Sequence, residues 1–220
     1  MSDGQQSYLG VTGGGMMLSL RCPCQVVRMP NGGLVLTGQG AMVEVSPGGD
    51  IVAPHGAVED LIMRVDRGVS AGPWTLIVPR PGFFLDLPLG VVVMSGTDDN
   101  PLPELHPAKP GSAATVPDVF VHFGVARRDA SEIQVRGDHD IDERTITFST
   151  EHGDTHVRVW EYGYELAGVS WRKRHYALAL VPGVTVMMSG QAPQTETKRV
   201  FALCDELAAS FASMHETSQS

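Results

Sequence analysis

Short apolar runs broken by glycine and proline fill the first half of the chain, and they predict strands rather than helices. Met16 to Arg21, Gln25 to Met29, Leu34 to Thr37, Met42 to Val45 and Leu61 to Val65 each have strand length and β-branched content. Asn31-Gly32-Gly33, between Pro30 and Leu34, is hairpin chemistry, because Asn and Gly adopt positive φ without strain. Ser46-Pro47-Gly48-Gly49-Asp50 repeats the signal before Ile51-Val52. The unit running from Met29 to Val52 has no second copy further along the chain, so a repeat architecture lacks support and a pair of hairpins that extends or covers another sheet is expected.

The pattern changes after residue 72. Trp74 to Val78, Phe83 to Leu87 and Val91 to Met94 are separated by Pro79, Pro81-Gly82, Pro88 and Gly90, which should mark strand ends because proline cannot donate to a ladder. From Ser95 to Pro117 the chain reads as one long loop, and Pro101 to Pro117 is its best place for a flap or a partner-binding segment, with Leu102, Leu105 and His106 as the contact candidates. Strands are expected again at Val119 to Phe123, Ile133 to Arg136, Thr145 to Phe148, Val157 to Tyr162, Trp171 to Val181 and Val184 to Met188, several alternating with period two. Thr195 to Met214 instead places Val200, Leu203, Leu207, Phe211 and Met214 on one stripe, flanked by Cys204 and Ala208. That spacing predicts an amphipathic helix entered after Pro193, with Glu196 in its first turn.

The expected class is therefore α+β and mainly β: an antiparallel sheet with a carboxy-terminal helix on one face, preceded by amino-terminal β-hairpins. The expected division is 1–72 as a hairpin extension, 73–214 as the sheet and helix, and 215–220 as a polar tail. Composition agrees, since Gly and Pro make up 40 of 220 residues and charged residues only 19%. A formal net charge of −9 argues against a nucleic-acid binder that works by phosphate neutralisation. No window is apolar for long enough to span a membrane, Met1 to Gln6 lacks the basic residues of a signal peptide, and three cysteines make no disulfide framework, so a cytoplasmic protein is expected. Cys22-Pro23-Cys24 reads as two free thiols.

The run His175 to Leu180, then Val184 to Met188, then a final helix ending in Ser210-Phe211 resembles the end of the PsbP-like superfamily, which includes DcrB-type and LpqN-type proteins. Phe83-Phe84-Leu85-Asp86-Leu87-Pro88-Leu89-Gly90 is similar to that family's opening strand, although Val91 stands where a Trp is common. The resemblance covers about residues 81–214. It implies a sheet with helices on one side and a role in binding or assembly, with no shared catalytic residues.

The candidate chemistry is sparse. His152, Asp154 and His156 would share a face of an extended strand and offer two imidazoles and a carboxylate to zinc or iron; Gly153-Asp154 is equally the turn of a hairpin. Asp138, Asp140 and Asp142 imitate the start of a calcium loop, but Glu143 and Ser149 occupy the positions where Gly and Glu are needed. No phosphate loop, dinucleotide fingerprint or nucleophile elbow is present, so no catalytic residue and no cofactor is assigned. Trp171 with the basic run Arg172-Lys173-Arg174 is a partner-contact candidate; its alternative is an edge-strand guard against aggregation. The sequence thus favours a non-enzymatic module that binds a protein partner or its own copies, with a small metal-binding protein or metal-dependent enzyme as the alternative.

Overall fold

A computed structural model describes residues 7–11, 17–20, 25–29, 34–38, 41–45, 51–56, 62–65, 69–71, 74–78, 82–88, 90–94, 102–108, 119–135, 140–150 and 153–215. The chain forms two compact units, 1–103 and 104–220.

In the first unit, β1 (Ser7–Val11) pairs antiparallel with β2 (Met17–Leu20), and β2 with β7 (Ile62–Val65). β3 (Gln25–Arg28), β4 (Leu34–Gly38), β5 (Ala41–Val45) and β6 (Ile51–His55) make the predicted hairpins as an antiparallel meander. β8 (Val69–Ala71) pairs with β11 (Val91–Met94). The boundary falls later than residue 72 because β9 (Trp74–Val78) runs parallel to β1 and carries β10 (Phe83–Leu87) with it. Leu76, Phe83 and Leu85 are fully buried, so the segment after Pro73 completes the core of the amino-terminal unit.

The second unit holds the expected sheet and helix. β12 (Glu104–Pro107), β13 (Phe120–Ala126), β14 (Asp142–Thr150), β15 (Gly153–Leu166), β16 (Val169–Val181) and β17 (Val184–Pro193) pair antiparallel in the order β14-β15-β16-β17-β13-β12. α1 (Thr197–Met214) packs on one face. Two expectations change. The segment read as an unbroken loop contains β12, whose Leu105 pairs with Val121 and is fully buried. Ile133 to Val135 is not a strand but follows a 3-10 turn at Ala130–Glu132. Arg158 Nη1 donates to the carbonyls of Ala130, Ser131 and Ile133 at 2.8–3.1 Å, which pins this segment over Trp160 and occupies groups that a ladder would need.

Facing residues in an antiparallel pair share a side, so the register sorts the sheet into two faces. The helix-covered face carries Val159, Tyr176, Met188 and Phe123 in one row, all buried. The helical stripe meets it: Val200, Cys204, Leu207 and Ala208 are fully buried, and Leu203 and Phe211 nearly so. Glu196, whose side chain makes no cap hydrogen bond, stands at the N-cap position, just outside the first turn of α1 rather than within it. The cause is a turn in which Glu196 N–H and Thr197 Oγ1 both donate to the Pro193 carbonyl.

Candidate binding face

The basic run splits between the two faces because successive strand residues point opposite ways. Arg172 and Arg174 lie on the helix side and Trp171 and Lys173 on the other. β16 lies between β15 and β17, so the run guards no edge.

On the helix side, both arginines converge on Glu161, which faces Arg174 across the β15–β16 pair. Arg174 donates from Nε at 2.9 Å and Nη2 at 2.8 Å, Arg144 Nη2 donates at 3.2 Å, and Arg172 Nη2 bonds the other carboxylate oxygen. Burial would raise the Glu161 pKa, but the hydrogen bonds from Arg174, Arg172 and Arg144 outweigh it and hold it below the usual carboxylate value. Arg174 also reaches the helix, lying 4.1 Å over the Phe201 ring and 3.4 Å from Asp205, which accepts the Tyr176 hydroxyl proton at 2.6 Å. This network fastens α1 to the sheet. Where β15 continues past the start of β14, Asp140, Asp142, Glu161, Tyr162, Gly163 and Arg172 line a polar cleft of about 520 Å³.

The opposite face is built of rings. Its rows run Tyr164, Trp171, Pro193; then Tyr162, Lys173, Gln191, Phe120; then Trp160, His175, Ser189, His122, Glu104. Tyr164 stacks on Trp171 with centroids 6.4 Å apart, and Tyr162 on His175 at 5.7 Å. Phe120 lies between His106 at 5.8 Å and His122 at 5.6 Å. At the β15–β16 tip, Leu166 and Val169 pair on this face and stay 57% and 46% exposed, across a turn in which Ala167 and Gly168 both have positive φ.

Polar groups are embedded among the rings. His175 Nδ1 is 2.6 Å from Ser189 Oγ, and its Nε2 is 3.4 Å from the Tyr162 hydroxyl. A neutral imidazole satisfies both by accepting at one nitrogen and donating at the other. Burial, then the Lys173 charge, pushes His175 down to about 4; the same two causes lower His122. Two buried polar atoms, Trp171 Nε1 and His122 Nδ1, find no hydrogen-bond partner among the described residues.

Of the other candidates, Leu102 and Leu105 are buried, and His106 is 3.4 Å from Glu104. β14 ends at Thr150 and β15 begins at Gly153, paired as a hairpin; His152 lies outside the described residues, as do Asp138, Cys22 and Cys24. Asp154 accepts from Ser149 Oγ at 2.8 Å and His156 Nδ1 is 3.0 Å from Thr147 Oγ1, so both are engaged across the hairpin. Among the described residues, no three His, Cys, Asp or Glu gather to hold a metal, and no helix is long and apolar enough to cross a membrane. The Ser189–His175 contact has no local sequence signal, since it joins residues in different strands. No known protein family matches the chain, and no characterised protein is significantly similar to it.

Proposed function

We propose that the chain is a non-enzymatic protein-binding module that holds a partner on the sheet face opposite α1. The observation that carries this reading is the ring-lined face itself, which ends in exposed Leu166 and Val169 and holds the buried indole N–H of Trp171 without an acceptor among the described residues. Aromatic side chains concentrate at binding surfaces because they bury large area at low conformational cost, and a buried donor without a partner is a standing penalty that an arriving acceptor removes. α1 covers the opposite face; on this one the segment around Ile133 covers Trp160, and Leu166 and Val169 at the tip stay exposed to a partner. A binding or assembly role is also what the resemblance to PsbP-like proteins implies. The partner is a different protein or a second copy of the chain.

Capture from a lysate of the source cells tests this, comparing the wild type with a Leu166→Ser/Val169→Ser double variant. Both sites are exposed, so folding stability should stay within about 0.5 kcal/mol. The reading expects a partner on the wild type that is lost from the variant. Identical proteins on both would refute it.

A further inference from the structure

The centre of the ring-lined face is a cation, Lys173, with no counter-ion among the described residues. Lys173 faces Tyr162 on β15 and Gln191 on β17, and its own strand places Trp171 and His175 on either side, each roughly 7 Å away at two strand residues' rise. Among the described residues no carboxylate comes within 4.0 Å of its ammonium. By register the nearest acid on the face is Glu143, two strands away opposite Trp160, and it is paired with Arg158; Glu104, three strands away opposite His122, contacts His106. Trp171, only 8% exposed, adds a second donor with no acceptor among the described residues. Neither group can accept a hydrogen bond, so a ligand completing both must bring acceptor atoms.

We propose that Lys173 and Trp171, walled by Tyr162 and Tyr164, form a recognition site for one carboxylate. A single negative charge matches the single lysine. A phosphate would bring more charge than one ammonium balances among aromatic rings, where an unpaired charge is costly. The planar carboxylate has two oxygens to divide between the ammonium and the indole N–H, and the stacked rings accept the apolar group that carries it. Burial lowers the Lys173 pKa, and burial followed by the Lys173 charge lowers both nearby histidines, so an arriving anion would favour the charged lysine.

This inference rests on the proposed binding face, and its test needs no partner. The full-length protein, labelled with 15N, is titrated with N-acetyl-glutamate amide, whose only charge is a side-chain carboxylate, and separately with benzoate, while the Trp171 indole N–H resonance is followed. Three tryptophans are present, and Trp171→Phe assigns the signal. Saturable movement is expected, weakened roughly tenfold or more in Lys173→Met and retained in Lys173→Arg. Saturation by the glutamate derivative identifies an acidic side chain of a protein partner, and saturation by benzoate alone identifies a free aromatic acid. No saturable movement with either, or equal affinity in Lys173→Met, overturns the proposal. If the titration fails while partner capture still depends on Leu166 and Val169, the carboxylate is wrong and the binding face stands. The converse result retires the protein partner and keeps the site.

Discussion

Gly190 of β17 faces Cys204 of α1 with no room between them for a methyl group. A Cβ built on Gly190 would collide with the Cys204 sulfur and lie 3.3 Å from Val200 Cγ1. The missing side chain is what allows the helix to approach the sheet so closely. Gly190→Ala should therefore destabilise the fold by about 1–3 kcal/mol, as overpacking does, despite the smaller unfolded-state entropy of alanine. Cys204→Ala creates the missing space, so the double variant should recover much of that loss. Urea unfolding of the four proteins measures the coupling, and strict additivity would mean the contact carries no energy.

The Glu161 network makes a second prediction. Arg174 is only 12% exposed, and removing its main partner leaves a charge poorly compensated in the interior. Glu161→Gln should cost about 3 kcal/mol, in the range for breaking a buried ion pair from one side. The folded pKa of Glu161 lies below its unfolded value, so its contribution is complete above the ordinary carboxylate range and is lost as pH falls through the depressed folded value. The gap between wild type and Glu161→Gln should accordingly be wide at neutral pH and narrow in acid. A gap that does not change with pH would be inconsistent with this assignment.

His175 produces a pH dependence at a different position. Its pKa is pushed down to about 4 by burial and by Lys173, below the unfolded value of 6.5. Between those values the unfolded chain binds a proton that the folded protein refuses, so stability falls as pH drops from about 6.5 towards 4, by at most about 3 kcal/mol. His175→Gln keeps a polar group beside Ser189 but cannot take up the proton, and should remove most of that slope. His122 shifts in the same direction and leaves a smaller residue of it. Urea midpoints across this range, for both proteins, give the comparison.

The helix and β14 were legible because each has a clean period, alternation in β14 and helical spacing from Val200 to Phe211. β15 to β17, buried on both faces in part (Tyr176 to Leu178, Thr185 and Val186), were legible from their apolar, β-branched content and the turns that bound them. Ile133-Gln134-Val135-Arg136 has the same alternation for a different reason. Ile133 is buried against Trp160 and Ala177, held there by Arg158, and sequence cannot distinguish that packing from ladder pairing. β12 was hidden among prolines, although Leu105 between Glu104 and His106 is an alternating triplet. The binding face was hidden most deeply. Its rows join residues on different strands, such as His175 and Ser189 or Phe120 and Gln191, and counting back from the Pro182-Gly183 turn is upset by the register shift between Ala179 and Val181. The basic run was visible, but its division between two faces depended on strand parity, which composition does not carry.

The central claim is that a protein partner sits on the ring-lined face of the sheet, and site-specific photo-crosslinking tests it most directly. A benzoylphenylalanine placed at Leu166, on the exposed tip of that face, is compared with one at Lys198, exposed on α1. Irradiated in the source cells, the Leu166 probe should give one discrete adduct, either a single foreign protein or a second copy of the chain, and the Lys198 probe should give none. No discrete adduct from Leu166, or the same adducts from both positions, would contradict the account.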